Sequence, residues 1–262
     1  MLLNTRSFLC ALLAGLLGWG ISPSCLAQAG ALFAIPTELK SSQALSPSSP
    51  WHIVLHSYDV VALAKSLSVS PPPPGVTALD YTLGGYPDIV GASGRSWLEE
   101  TFVVDYKESA VANLYAAFAR SMGGRPWTRQ ALIDFVASSM TASLGNPFKI
   151  ASQVAVSRSG DCKSYAVLTA ALARSAGVPA RVALGVVILD RDGHYTTYGH
   201  AWTETREGGH WVVTDSALQG SQGAARYLPF GILADEGPGY QSSLGRLAPT
   251  LELKSVTIVG TP

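Results

Sequence analysis

Apolar positions fall into two periods along the chain. Val111, Leu114, Tyr115 and Phe118 recur at i, i+3, i+4 and i+7, which predicts an amphipathic helix from Lys107 to Met122, stopped by Gly123-Gly124. A second helix is expected from Thr128 to Leu144, with Thr128 as its N-cap and Leu132, Phe135 and Val136 on its apolar face. From Lys163 to Ser175 the pattern is apolar on most of the circumference, as expected of a buried central helix. Gly177 and Pro179 mark its end. Three strands follow, Ala180 to Leu189, Thr196 to Thr205 and His210 to Thr214, joined by the hairpin signals Asp192-Gly193 and Gly208-Gly209. The expected product is an α+β fold with the central helix packed on an antiparallel sheet.

The flanks are harder to place. Residues Ala29 to Pro50 show little periodicity and read as a lead with partial disorder, and Trp51 to His56 as a strand followed by a helix over Asp59 to Leu67. Pro71 to Pro74 form a stiff spacer. Short apolar runs between Val76 and Tyr106 predict a hairpin layer. The chain from Ile150 to Val156 reads as a connection. After Ser216, a stretch rich in Gly, Ser, Gln and Pro holds one apolar island, Tyr227 to Leu233, before a last strand candidate at Leu251 to Val259.

The first residues carry Arg6, an apolar run from Phe8 to Ile21, and Ser22-Pro23-Ser24-Cys25-Leu26-Ala27. This is the layout of a signal peptide over residues 1–27, so a periplasmic or secreted protein is expected. An uncleaved anchor and a lipoprotein acylated at Cys25 are the alternatives, and Ser-Pro-Ser before Cys25 matches a lipidation site poorly. Beyond it no apolar run is long enough to span a bilayer. The expected organisation continues with an N-terminal extension and β-rich segment over 28–106, a core over 107–220 and a C-terminal extension over 221–262.

Charge narrows the partners. The formal net charge is zero, from 18 basic and 18 acidic residues, and no basic run suggests a nucleic-acid partner.

Export also changes the cysteine arithmetic. Of three cysteines, Cys10 and Cys25 fall in the signal region, leaving Cys162 unable to form an internal disulfide. It follows the turn-forming Ser159-Gly160-Asp161 at a helix start, where unpaired N–H groups and a partial positive charge favour the thiolate. A small buried core residue and an intermolecular bridge are the alternatives. A nucleophile needs a base and the base an orienting group. His200 lies on the second strand and Asp215 ends the third; in an antiparallel pair turned at Gly208-Gly209, facing residues come within roughly 5.5 Å, so the two can hydrogen-bond.

The ordered set Gly160-Asp161-Cys162-Lys163-Ser164-Tyr165-Ala166, Gly177-Val178-Pro179-Ala180-Arg181, His200-Ala201-Trp202 and Trp211-Val212-Val213-Thr214-Asp215 resembles the core of the transglutaminase-like superfamily. The resemblance implies a papain-like α+β core with Cys162 as nucleophile, His200 as base and acid, and Asp215 orienting the imidazole. It implies amide acyl transfer on a peptide or protein substrate, a cysteine peptidase being the favoured reading over transamidation. A non-catalytic binding or envelope-assembly module on the same fold is the alternative. Cys162 N–H is expected to hold the oxyanion, with Gln153 a candidate second donor. No cofactor or metal is expected: His194, His210, Cys162 and His200 lack a close ligand pair, and Asp190, Asp192 and Gly193 suit a hairpin turn better than a calcium loop. Arg181 is expected to pair with a backbone or carboxylate group, and Tyr165, Trp202 and Trp211 to be core aromatics.

Overall fold

In the computed structural model the elements run in chain order as follows. The first part contains β1 (Ala34–Ile35), β2 (Thr37–Leu39), β3 (Trp51–Ser57), α1 (Val60–Ser66) and β4 (Ala78–Leu83). Next come α2 (Ser109–Met122), α3 (Arg129–Ser139), β5 (Thr141–Ala142), α4 (Ala151–Ser157), β6 (Ser159–Gly160) and α5 (Cys162–Ser175). The chain closes with β7 (Ala180–Arg191), β8 (His194–Glu207), β9 (His210–Thr214), β10 (Ala225–Ile232) and β11 (Leu253–Gly260). The structure describes residues 34–41, 45–46, 49–87, 89, 95–144, 147–219, 225–242, 244 and 253–262. The signal peptide expected over 1–27 lies outside the described residues.

α5 is the hub. Every residue from Ser164 to Arg174 is buried, which a helix without a polar face requires. Asp161 caps it by accepting the Lys163 N–H at 3.2 Å, and Gly177, at φ +76°, turns the chain off its end. α2, α3 and α4 cover it on one side through Leu114, Phe118, Leu132, Val136 and Val154. On the other side lies a sheet of order β1-β8-β7-β10, with β9 beside β8. Asp192 and Gly193, both at positive φ, make the β7–β8 turn, and Gly208 and Gly209 make the β8–β9 turn.

Two registers matter for the site. β8 sets His200 opposite Gly185 of β7, and β9 sets Thr214 opposite Thr203. On the outer edge of β8, β1 pairs with Thr197 and Tyr198 and β9 with Thr203 to Glu207. Among the described residues, 199–202 therefore have no strand on that edge, and the start of α5 meets β8 there.

The flanks join in a second sheet, of order β2-β11-β3-β4. β3 alternates buried and half-buried residues along its length, and Trp51, Ile53 and Leu55 pack with Leu63 of α1, Val256 of β11 and Phe230 of β10. β7 runs through both cores: Val182 and Leu184 lie under α5, while Val186 and Ile188 lie under the second sheet.

Among the described residues, the hairpin layer expected over 76–106 is a single strand, β4, paired with β3; Val90 of the expected Ile89-Val90 run lies outside them. Val103 and Val104 are instead buried in a turn of the helical core. The Val103 N–H reaches the Glu236 carbonyl at 2.9 Å and its carbonyl accepts the Ala151 N–H at 2.9 Å, so its backbone is satisfied without a strand partner. The expected connection over 150–156 contains the short helix α4, held by the Asp105 carboxylate on the Ser152 N–H at 2.8 Å. No helix among the described residues is long and apolar enough to cross a membrane.

Candidate active site

Cys162 opens α5 as a half-buried free thiol, and the parallel bridge of β5 with β6 fixes the chain just before it. His200 comes from the middle of β8, and Asp215 from the first position beyond β9. The Gly208-Gly209 hairpin brings the last two together. His200 Nε2 lies 2.7 Å from Asp215 Oδ2, with side chains only 6% and 5% exposed. That bond occupies Nε2, so Nδ1 is the imidazole nitrogen left to act on the Cys162 thiol, whose acidity His200 raises. The Ala201 backbone, on the uncovered edge of β8, also favours the Cys162 thiolate.

Burial pushes the Cys162 thiol up, but the hydrogen bond and charge of His200 outweigh it, with the Ala201 N–H adding to them and Asp161 opposing. The thiol ends below its ordinary value. Burial pushes His200 down, yet the Asp215 carboxylate, followed by Cys162, raises it to about 10. Burial pushes Asp215 up, and His200, Tyr227 and the Ala217 N–H hold it below its ordinary value. The three shifts agree: at neutral pH the thiolate and imidazolium forms are stabilised together, with an ionised aspartate behind them.

The rest of the sheet face is built to hold the imidazole. Trp202, fully buried, stacks on His200 with ring centres 6.0 Å apart and planes 19° from parallel. Its indole N–H donates to the Tyr86 hydroxyl at 2.9 Å, and Tyr86 donates to Glu204. Arg181 pairs with the other Glu204 oxygen at 2.5 Å and lies 4.1 Å over the Trp211 ring, which gives it the carboxylate partner expected of it. Tyr165 is a core residue of the helical layer.

Other polar candidates stay outside this arrangement. Gln153 is exposed, and its amide oxygen accepts the Ile150 N–H of its own helix at 3.4 Å. His194 and His210 are exposed at strand ends, and Asp190 accepts the Gly193 N–H at 2.8 Å within its turn. Among the described residues no cluster of three or more His, Cys, Asp or Glu side chains could hold a metal ion.

Two tyrosines were not visible as site residues in the sequence. Tyr227 donates its hydroxyl to Asp215 Oδ2 at 2.8 Å, and Tyr86 supports Trp202. Tyr227 sits in an apolar island whose only legible feature is strand character, so nothing marked its hydroxyl.

A helix-borne thiol packed on an antiparallel sheet with a histidine and an aspartate defines a papain-like α+β class of site. Residues 128–216, which contain Cys162, His200 and Asp215, match the family model of the transglutaminase-like superfamily. Three solved structures are similar. A candidate cysteine protease from Cytophaga hutchinsonii is 19% identical, with 63% of this chain and 50% of its own covered, at a TM-score of 0.41. The periplasmic domain of TgpA from Pseudomonas aeruginosa, bound to ethylmercury, is 22% identical over 42% of this chain and 45% of its own, at 0.32. A TGase is 17% identical over 47% of this chain and 35% of its own, at 0.34. The chain thus spans half or less of the length of these structures. No curated protein matches.

Proposed function

We propose that the protein is an exported thiol-dependent hydrolase of peptide or protein amide bonds, with Cys162 as nucleophile, His200 as base and acid, and Asp215 orienting the imidazole. The observation that carries this reading is the buried His200–Asp215 hydrogen bond at 2.7 Å, with His200 lowering the Cys162 thiol while its own imidazole is raised. Such a site stores its nucleophile as an imidazolium–thiolate pair.

The Cys162 thiolate attacks the amide carbonyl carbon, and the carbonyl π electrons move to oxygen. The Cys162 backbone N–H, at the positive end of α5, serves as a donor for that oxyanion. Collapse breaks the C–N bond as His200 gives its proton to the departing amine, leaving a thioester and a neutral imidazole. Water then attacks the thioester while His200 takes its proton. The C–S bond breaks, the carboxyl product leaves and the ion pair is restored. An amine in place of water gives transamidation. Water is in large excess over any free amine, so hydrolysis is the default and transamidation needs a bound amine to exclude it.

Alkylation of Cys162 by iodoacetamide, followed against pH in the mature chain, tests this directly. The expected rate stays high well below the free-thiol pKa of about 8.5 and falls in His200→Ala. Cleavage of a peptide library is expected from the wild type and not from Cys162→Ala. Slow labelling that ignores His200→Ala overturns the reading in favour of a non-catalytic binding or envelope-assembly module.

A further inference from the structure

We propose that Tyr227, which lies beyond the stretch matched by the family model, is a positioning residue for the His200–Asp215 pair: it shares Asp215 Oδ2 with the imidazole and sets how much of the carboxylate charge His200 receives. The inference rests on the catalytic reading of that pair given above.

The Asp215 carboxylate accepts four hydrogen bonds. Oδ1 takes the Ala217 and Leu218 N–H groups at 2.9 and 3.3 Å, while Oδ2 takes His200 Nε2 at 2.7 Å and the Tyr227 hydroxyl at 2.8 Å. That fills its acceptor positions, so the orientation of the carboxylate is fixed by protein groups alone. The Tyr227 hydroxyl remains a donor, because burial and the adjacent carboxylate both push it above the usual phenol range. Its ring is wedged 5.1 Å from Trp202 and 6.3 Å from His200.

What aims the hydroxyl is the approach of β10 to β7. Tyr227 pairs with Val187, and two residues on, Pro229 crosses Gly185, the residue opposite His200. A Cβ at Gly185 would lie 2.1 Å from the Leu228 carbonyl oxygen, so only glycine allows β10 this close. The other ionisable groups facing the pair are Cys162 and Asp161 at the start of α5, Tyr86 from the segment after β4, and Glu204 with Arg181 on the same sheet face.

Two donors on one oxygen divide its charge. Removing the Tyr227 hydroxyl leaves more of that charge on the imidazolium, so His200 should hold its proton to higher pH while losing a constraint on its angle. The experiment is a nitrogen-15 histidine NMR titration of the mature chain, with His200 assigned by its loss in His200→Ala among the five histidines. Tyr227→Phe keeps the ring and should move the His200 midpoint up by about half a unit or more, with roughly tenfold slower turnover. Site-specific 3-fluorotyrosine at 227, a stronger donor that deletes no contact, should move the midpoint down. In an Asp215→Ala background Tyr227→Phe should shift nothing.

A high wild-type midpoint that ignores both changes at 227 overturns the inference and leaves the catalytic reading standing. So does an equal Tyr227→Phe shift without Asp215. A wild-type midpoint at the ordinary value of 6.5 sinks both.

Discussion

The Glu236 carboxylate grips the Arg174 guanidinium through two bonds, at 2.7 and 2.9 Å, with neither side chain exposed. Arg174 ends the buried stretch of α5 and also donates to the carbonyls of Ala180 and Glu99, while Arg95 reaches Glu236 at 3.0 Å. A residue some sixty positions away in sequence therefore neutralises a cation at the foot of the helix that begins with Cys162.

Glu236→Ala leaves a buried guanidinium without its counter-charge. The cost of breaking one partner of such a pair is about 3–5 kcal/mol, read from urea unfolding. Glu236→Gln, which keeps an acceptor, should lose less. A loss under about 1 kcal/mol in Glu236→Ala would mean that Arg174 finds water or another carboxylate, and that the network adds little.

The same long-range closure explains which parts of the molecule were legible in the sequence. Cys162, His200 and Asp215 stand in short contiguous motifs, and the Gly208-Gly209 turn fixes the register that brings the last two together at 2.7 Å. α5 was legible because its apolar circumference and its Asp161 and Gly177 ends are local signals. Tyr227 and Glu236 were not, since each acts through a partner on a distant element and nothing in a run such as Tyr227 to Leu233 encodes that partner. The second sheet depends on β2 and β3 meeting β11 from opposite ends of the chain, a pairing no local period reports. Val103 and Val104 misled because β-branched residues suit a strand, yet here their burial in the helical core decides the conformation. α4, with a stripe of only Ala151, Val154 and Ala155, is too short for its period to stand out.

The opposite shifts of Cys162 and His200 predict a stability plateau rather than a slope. A raised His200 alone gives stability that is complete below 6.5 and lost as pH climbs to about 10. A lowered Cys162 alone gives stability present above its ordinary 9.0 and lost as pH falls through its folded value. Above 6.5 and above the lowered thiol value, up to 9.0, the folded pair holds one proton on the imidazole, and the unfolded chain holds one on the thiol, so the counts match and stability is flat. Cys162→Ser removes the thiol proton from the unfolded count. The alkaline decline should then begin near 6.5 instead of near 9.0, which unfolding midpoints measured across pH would report. An unchanged onset would mean that the pair is not ionised together.

Two neighbouring glycines provide a paired test of how the second core supports the site. Gly199 lies next to His200 on β8 and a Cβ there meets nothing within 4 Å, whereas at Gly185, directly opposite His200, it meets the Leu228 oxygen at 2.1 Å and Pro229 Cα at 2.8 Å. Gly199→Ala should change stability by no more than about 0.5 kcal/mol, as at an unencumbered position. Gly185→Ala must drive β10 away from β7 and should cost about 3 kcal/mol, the upper end of an overpacking penalty. β10 carries Tyr227, so that displacement should also pull the hydroxyl from Asp215. Cys162 alkylation near neutral pH should then slow in Gly185→Ala and hold its rate in Gly199→Ala. Equal stabilities in the two variants would mean that β10 shifts at little cost, and equal alkylation rates that its distance from β7 does not govern the thiol.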